Sequence, residues 1–216
     1  MWTLGVETSA GEGGLALLKA GALFASRPLT ARGASLVPAA RDLCAEAGIL
    51  PAQLERIAVD VGPGSFAGSR MGVTFAKTLA YASGCALAAV SSLEARAFQA
   101  RQEGVLAVAL DARRGRFYAG AFRFEGETLI RLFEDGLFDA DTLKAALPGA
   151  ATWLGDAAQG LLRPGDRIHP DALKAPEAAT IARLGLAATP VTPFALAPAY
   201  LRLVEAQEKK EARERA

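Results

Sequence analysis

The sequence LGVETSAGEGGLALLKAGALFAS at residues 4–26 is matched in design by VLAVALDARRGRFYAGAFRFEGETLIRLF at residues 105–133. Each stretch opens with an apolar run that ends in an acid, Glu7 in the first and Asp111 in the second. Each then continues through a glycine-containing turn into two further strand-like runs. Similarity at a spacing of about one hundred residues indicates a duplicated unit. The sequence therefore predicts two lobes, each opening with a three-stranded meander.

The rest of each lobe alternates short apolar runs with helical patterns, which predicts a mixed sheet flanked by helices. We expect an N-terminal lobe at residues 1–103 and a C-terminal lobe at residues 104–216, packed together because no low-complexity linker separates them. Beyond the meanders, the predicted helices are residues 35–47, 69–83, 92–101, 142–146 and one opening at Pro176, and the predicted strands are residues 56–61, 86–90 and 151–154.

The composition predicts a chain that builds its own apolar cores. It has 216 residues, 51% of them hydrophobic, and its 24 basic residues nearly balance its 23 acidic ones. That balance disfavours dominant binding to RNA. Cys44 and Cys85 each lie in an apolar run, which is typical of buried free thiols. Because no export signal and no apolar run of about 18 residues is present, we expect a cytoplasmic protein without a membrane segment.

A glycine-rich loop, VDVGPGSFAGSRMG at residues 59–72, joins a predicted strand to a predicted helix. Gly62, Gly64 and Gly68 permit a tight turn and close backbone approach, and Ser65 can cap the helix. Free N–H groups in such a loop can hold a phosphate, although the lysine of a P-loop is missing. The same glycines also suit a plain tight connection, and spacing alone does not decide between the two.

Glu7 and Thr8 follow the first strand directly. A carboxylate at a strand end can bind Mg²⁺ through water, and a hydroxyl there can contact phosphate. A simple turn at the end of the strand explains the same residues. Glu7, Thr8, Gly62, Gly64, Ser65 and Asp111 are therefore the candidate nucleotide-binding residues.

Two helices of the first lobe carry more apolar surface than one core needs. In the helix at residues 69–83, apolar residues cover roughly 200° of the circumference. We assign its large row, Met71, Phe75 and Leu79, to the lobe's core. Its small row, which allows another helix to come close, is assigned to a boundary with another subunit and consists of Gly72, Ala76 and Ala80.

The preceding helix adds a second apolar row to the predicted boundary. The two helices side by side suit half of a four-helix bundle formed across two subunits. The alternative is that another part of this chain covers them. The residues of this row are Leu36, Ala40, Leu43 and Ala47.

Five motifs in order along the chain resemble the TsaB (YeaZ) family. They are GVETS at residues 5–9, DVGPGSFAGSRMGV at 60–73, ALAAVSSLEA at 86–95, ALDARRGRFYAG at 109–120 and APAYLR at 197–202. The resemblance implies a duplicated, two-lobed actin-like fold of the acetate kinase, Hsp70 and actin superfamily, which is RNase H-like. It implies a role in forming threonylcarbamoyladenosine beside the anticodon of tRNAs that read codons beginning with A. Glu7 departs from the aspartate of the family's first motif.

The resemblance also implies which chemistry is missing. The family is similar to its catalytic partner, TsaD, in which a His-x-x-x-His pair on a helix holds the metal. Ser92 and Arg96 stand at those two positions, and a permanently cationic Arg96 would repel a metal ion. His169, the only histidine, is expected at the surface of the second lobe. We therefore expect no catalytic residues and no metal site.

The favoured interpretation is a non-catalytic scaffold subunit that binds a TsaD-like transferase and works with a TsaE-like ATPase. It would contact tRNA only indirectly and form a homodimer when alone, in keeping with the family resemblance. No cofactor is expected, apart from weak ATP or ADP binding within the complex. The alternative is an ATP-dependent phosphotransferase that uses Glu7, Asp111 and the glycine loop.

Overall fold

Two five-stranded sheets form the framework of the protein. The computed structural model describes residues 1–29 and 36–201; the predicted helix start at residue 35 and the last residue of the motif at 197–202 lie outside these ranges. Sheet 1 has the order β3-β2-β1-β4-β5, and sheet 2 has the order β8-β7-β6-β9-β10. The strands of sheet 1 are β1 (Trp2–Glu7), β2 (Gly14–Lys19), β3 (Ala22–Pro28), β4 (Arg56–Asp60) and β5 (Ala86–Val90). Those of sheet 2 are β6 (Val105–Asp111), β7 (Phe117–Glu125), β8 (Thr128–Phe138), β9 (Ala151–Leu154) and β10 (Arg167–Ile168).

The two sheets repeat one pairing scheme. Strand β1 pairs antiparallel with β2 and parallel with β4, and β6 pairs antiparallel with β7 and parallel with β9. Glu7 ends β1 and Asp111 ends β6, so the two acids occupy equivalent positions. The predicted duplicated design, with two meanders and mixed sheets, is confirmed.

Five α-helices cover the sheets in the part of the chain that the structure describes. Helix α2 begins three residues earlier than expected because the Ser65 hydroxyl accepts a hydrogen bond from the Gly68 N–H at 3.2 Å. Short 3₁₀ turns occupy Pro51–Gln53 and Ala158–Leu161. The helices are α1 (Leu36–Glu46), α2 (Phe66–Ser83), α3 (Ser92–Ala100), α4 (Ala140–Ala146) and α5 (Ala178–Ala187).

Each half of the chain contributes one helix that packs on the sheet of the other half. Helices α1 and α2 pack on one face of sheet 1 and α5 on the other, where a Cβ atom on Gly5 would lie 2.1 Å from Ala178 O. Helix α3, in contrast, packs on sheet 2 through Leu93 and Ala97. A boundary between residues 103 and 104 therefore separates the strands of the two sheets but not their covering helices.

After α5, the chain returns along the first lobe as an extended segment, residues 189–201, which we call the strap. Val191 forms an antiparallel bridge with Leu87 of β5, and Leu196 is buried in the core of sheet 1. No helix among the described residues combines the length and the apolar character needed to cross a bilayer.

Candidate functional site

Two buried carboxylates meet where β1 and β4 end. Because these strands are parallel, their carboxyl ends lie at one edge of the sheet, which brings Glu7 and Asp60 together. The Ser9 hydroxyl lies 2.7 Å from Asp60 Oδ2 and 3.2 Å from Glu7 Oε1. Backbone N–H groups complete the pair: Ala10 donates to Glu7 Oε1 at 2.8 Å and Gly62 to Asp60 Oδ1 at 2.7 Å. The cluster is closed, with most of its acceptors satisfied from within the protein.

The environment of the pair favours its protonated forms. Burial and, to a smaller extent, the neighbouring Asp60 charge raise the pKa of Glu7 to about 7, against the opposing effect of the hydrogen bonds from Ala10 and Ser9. Burial also raises the pKa of Asp60 to about 6, while hydrogen bonds from Ser9 and Gly62 and the positive charge of Arg96 oppose that shift. Two acids this close cannot both ionise easily near neutral pH.

Arg96 of α3 brings a buried positive charge to this region. Burial lowers the pKa of its guanidinium, and the carboxylates of Asp156, Asp60 and Glu7 partly offset that effect. Its Nη1 donates to Lys174 O at 2.5 Å, while its Nε has no hydrogen-bond partner. One turn earlier on α3, the buried Ser92 donates its hydroxyl hydrogen bond to Pro63 O. Both positions thus serve internal packing.

The glycine loop packs tightly on the turn after β1. A Cβ atom on Gly68 would lie 1.9 Å from Thr8 O, and one on Gly64 would lie 2.5 Å from Ser9 O. The Ser65 N–H donates to Ser9 O at 2.7 Å, which occupies one of the groups that would hold a phosphate. This geometry supports the tight-connection interpretation of the loop. Nucleotide binding there stays a prediction.

The structure brings together five of the six candidate nucleotide-binding residues. Asp111 lies exposed at the end of β6, in the second lobe. Its Oδ1 accepts a hydrogen bond from the Arg113 N–H at 2.7 Å, and its own N–H donates to Asp156 Oδ1 at 2.8 Å. The five residues around the glycine loop are Glu7, Thr8, Gly62, Gly64 and Ser65.

The predicted interface rows are largely buried inside the first lobe and face its sheet, which differs from their expected place at a subunit boundary; Leu36 and Ala40 also line the groove between α1 and α2. A Cβ atom on Gly72 would lie 2.3 Å from Thr8 Oγ1, which shows that the small row lets α2 approach the sheet. The α1 row fills the same core. The buried residues are Leu36, Ala40, Leu43, Gly72, Ala76 and Ala80, and Ala47 is half-buried.

The large row of α2 lies on the outer side instead. Met71, Phe75 and Leu79 are half-buried and line an apolar groove between α1 and α2, beside the exposed Val37. The groove has two parts of about 640 and 370 Å³. We call it the α1–α2 groove. The first part is lined by Leu36, Val37, Phe66, Ala67, Arg70, Met71, Thr74, Phe75 and Thr78, and the second by Val37, Ala40, Arg41, Cys44, Pro51, Leu54, Phe75, Thr78, Leu79 and Ala82.

Two further residues, His169 and Cys85, differ from expectation. His169 is buried rather than exposed: its backbone N–H donates to Trp153 O at 3.0 Å, and its ring Nδ1 accepts from the Asp171 backbone N–H at 3.1 Å. Asp60 belongs to the site although it is absent from the predicted site residues; its place at the end of a strand next to β1 is the sequence signal for it. Cys44 is buried and Cys85 half-buried, and both are free thiols. Within residues 1–29 and 36–201, no group of three or more His, Cys, Asp or Glu residues could hold a metal ion.

Comparison with known proteins agrees with this fold. The family model for TsaD, tRNA N6-adenosine threonylcarbamoyltransferase, matches residues 31–160. The Bacillus subtilis tRNA threonylcarbamoyladenosine biosynthesis protein TsaB is 31% identical, with 97% of each chain covered.

Two Pseudomonas aeruginosa structures have the same architecture. One is a protein described as similar to peptidase YeaZ, with a TM-score of 0.77, and the other is YeaZ, with a TM-score of 0.75. Each is 27% identical, and each match covers 93% of this chain and 99% of the other. The two sheets and their covering helices form the duplicated actin-like fold. The chain belongs to the TsaB (YeaZ) family, whose members take part in tRNA threonylcarbamoyladenosine biosynthesis.

Proposed function

We propose that this chain is a non-catalytic subunit that binds a TsaD-family threonylcarbamoyltransferase and supports its reaction on tRNA. The observation that carries the proposal is the α1–α2 groove. Val37 is 68% exposed at its rim, and Phe75 of its floor reaches solvent. Large apolar side chains grouped on one face of a monomer are typical of a surface that another protein covers.

The family match supports the choice of partner. The TsaD model matches residues 31–160, a range that contains both α1 and α2. A TsaD-family protein therefore has counterparts of the two helices that form the groove. Two such helix pairs can pack face to face as a four-helix bundle, in the manner of a pseudo-twofold dimer. The same surface would form a homodimer when the partner is missing.

The closed strand-end cluster supports a non-catalytic role. Glu7, Ser9 and Asp60 are the acids and the hydroxyl best placed for proton transfer, yet they are almost fully buried and bonded to each other. A general acid or base must reach its substrate within hydrogen-bond distance. Arg96 stands where the family's catalytic partner has a metal-binding histidine, so the chain would rely on that partner for chemistry. A TsaE-like ATPase would join the complex, and tRNA would be contacted through the transferase.

The phosphotransferase alternative is less well supported. Asp111 lies in a different cluster from Glu7, and the Ser65 N–H is already bonded to Ser9 O. We expect calorimetry with Mg-ATP to give a Kd weaker than about 100 μM for the isolated chain. A submicromolar Kd would restore the phosphotransferase interpretation.

The groove can be tested with one charge and a matched control. Val37→Glu places a carboxylate at the rim of the groove, and Leu173→Glu places the same charge at a 75% exposed apolar residue of the second lobe. Both variants should fold, because both side chains face solvent. Titrated with the purified TsaD-family protein of the same organism, Val37→Glu should bind at least a hundredfold more weakly and Leu173→Glu normally. Normal binding by Val37→Glu would contradict the proposal.

A further inference from the structure

The strap is held beside α2 by contacts along its length. Lys77 Nζ of α2 donates to Leu196 O at 2.9 Å, and the Ala199 N–H donates to Val61 O at 2.8 Å. Leu196 itself is buried in the core of sheet 1, and Val191 bridges to β5. The strap is thus a fixed part of the first lobe's surface over residues 191–201.

Two aromatic pairs join the strap to α2. Phe194 of the strap packs edge-on against Tyr81 near the end of α2, with ring centroids 6.0 Å apart. Tyr200 packs against Phe66 at the start of α2, with centroids 5.8 Å apart. In each pair, one ring comes from the helix and one from the strap.

These rings are held in place without being covered. Phe194 is 83% exposed and Tyr81 is 70% exposed, while Phe66 and Tyr200 are each more than half exposed. An aromatic ring that faces water loses the burial that normally stabilises it. Rings that are already paired lose little freedom when a partner covers them, and aromatic residues are enriched among the residues that dominate binding energy.

The aromatic pairs continue the α1–α2 groove across α2. At about 100° per residue, Phe66 and Tyr81 lie on one flank of α2, and Met71 and Phe75 lie roughly a third of a turn round the helix. Phe66 also lines the groove, so the two surfaces share a residue. A partner seated in the groove would meet the strap on the far side of α2.

The groove alone is small for a stable complex. Nine residues line its first part and ten its second, with three in common. A standard protein interface uses about 20–30 residues on each side. A surface that includes the strap comes closer to that size.

We infer that the strap is the second half of the docking surface for the transferase, with Phe194 and Tyr81 as binding residues for an apolar patch of that protein. This inference rests on the proposed function. RNA is the less suitable partner for the same rings, because the nearby Lys77 ammonium is bonded to Leu196 O and Arg70 lies over the Phe66 ring. Both cationic groups beside these rings are thus already in contact with groups of the protein, whereas a phosphate backbone is held by cationic side chains that reach out to it.

Three single variants of this surface test the inference. Phe194→Ser and Tyr81→Ser each remove one exposed ring, and Leu173→Ser is the control in the second lobe. Thermal melts should show all three folded as the wild type, since each side chain is mostly exposed. Titration with the purified TsaD-family protein of the same organism should show at least tenfold weaker binding for Phe194→Ser and Tyr81→Ser. The double variant should lose less than the product of the two single losses, because the rings contact each other.

The outcomes separate the inference from the proposed function. If Val37→Glu abolishes binding but Phe194→Ser binds within twofold of the wild type, the groove is the whole surface and the inference is wrong. If Val37→Glu also binds normally, the proposed function fails as well. If Phe194→Ser weakens retention of tRNA while binding of the transferase is unchanged, the rings serve RNA and the inference is again wrong.

Discussion

Gly72 lies so close to Thr8 that a Cβ atom on Gly72 would come within 2.3 Å of Thr8 Oγ1. Thr8 cannot easily move, since its hydroxyl donates to Gly68 O at 2.7 Å. This contact sets the distance between α2 and β1 and shows that the small row of α2 faces the sheet. We therefore expect Gly72→Ala to destabilise the protein by about 1–3 kcal/mol in urea unfolding, through overpacking.

Two variants control this measurement. Gly149→Ala adds the same methyl group where no other atom lies within 4 Å, and it should leave stability within about 0.5 kcal/mol of the wild type. Adding Thr8→Ala to Gly72→Ala should recover part of the loss, because it removes the clashing oxygen. Equal stability for Gly72→Ala and Gly149→Ala would show that the small row is not in close contact.

A charge on α2 should destabilise the fold on the side that faces the sheet and have little effect on the outer side. Ala76→Glu would bury a carboxylate in the core of sheet 1, where Ala76 has no exposed surface. That should cost more than about 4 kcal/mol and abolish the cooperative thermal transition. Ala82→Glu makes the same change at an exposed alanine of the same helix and should fold normally. A folded Ala76→Glu variant would mean that the small row faces outward after all.

The buried acid pair predicts that stability falls as pH rises. The folded-state pKa of Glu7 is about 7, above its ordinary value of 4.5, so the folded chain holds a proton that the unfolded chain has lost. The stability that this bound proton gives the folded state is fully present below about pH 4 and is lost as pH rises through 7. Glu7→Gln keeps the shape without the charge.

We therefore expect Glu7→Gln to be about 1–3 kcal/mol more stable than the wild type at pH 8, with a smaller difference at pH 5. Urea unfolding at the two pH values measures this. A gain that is equal at both values would contradict the shared burial of Glu7 and Asp60. A loss of stability at pH 8 would show that the ionised carboxylate is well compensated.

For Asp166 in the second lobe, we expect the opposite pH dependence of stability. Burial alone would raise its pKa, but hydrogen bonds from Arg163, the Ala151 N–H and Trp153 Nε1 outweigh burial and lower the pKa to about 2. A lowered pKa gives stability that is present above about pH 4 and lost as pH falls toward 2. Asp166→Asn should cost about 2–4 kcal/mol at pH 7 and progressively less below pH 4. A pH-independent cost would indicate that the charge of Asp166 is unimportant.

Local sequence signals predicted the framework well. The two meanders, the strand at residues 86–90 and the cap at Ser65 depend on neighbouring residues, and all three are confirmed. The orientation of α2 depends instead on Thr8, which is distant in sequence. An apolar arc of about 200° leaves either row free to face the sheet, and the polar Thr74 and Thr78 beside the large row were the signal for the outer side.

The burial of Arg96 and the return of α5 to sheet 1 were not predictable either, because both depend on residues that are distant in sequence. Arg96 is buried because the segment before α5 comes back to α3, where Lys174 O accepts its hydrogen bond. No sequence signal near Arg96 predicts that the chain returns to α3. The glycine loop, in contrast, was predicted with both of its interpretations, and its close contacts with Thr8 O and Ser9 O favour the tight connection.

The central claim, a non-catalytic subunit acting through its α1–α2 groove, is tested most directly by reconstituted threonylcarbamoyl transfer to tRNA. Purified chain alone should form no threonylcarbamoyladenosine. Adding it to the TsaD-family and TsaE-like proteins should raise the rate to a plateau, and Val37→Glu should need at least a hundredfold higher concentration for the same effect. Turnover by the chain alone, or equal rates with wild type and Val37→Glu at every concentration, would contradict the claim.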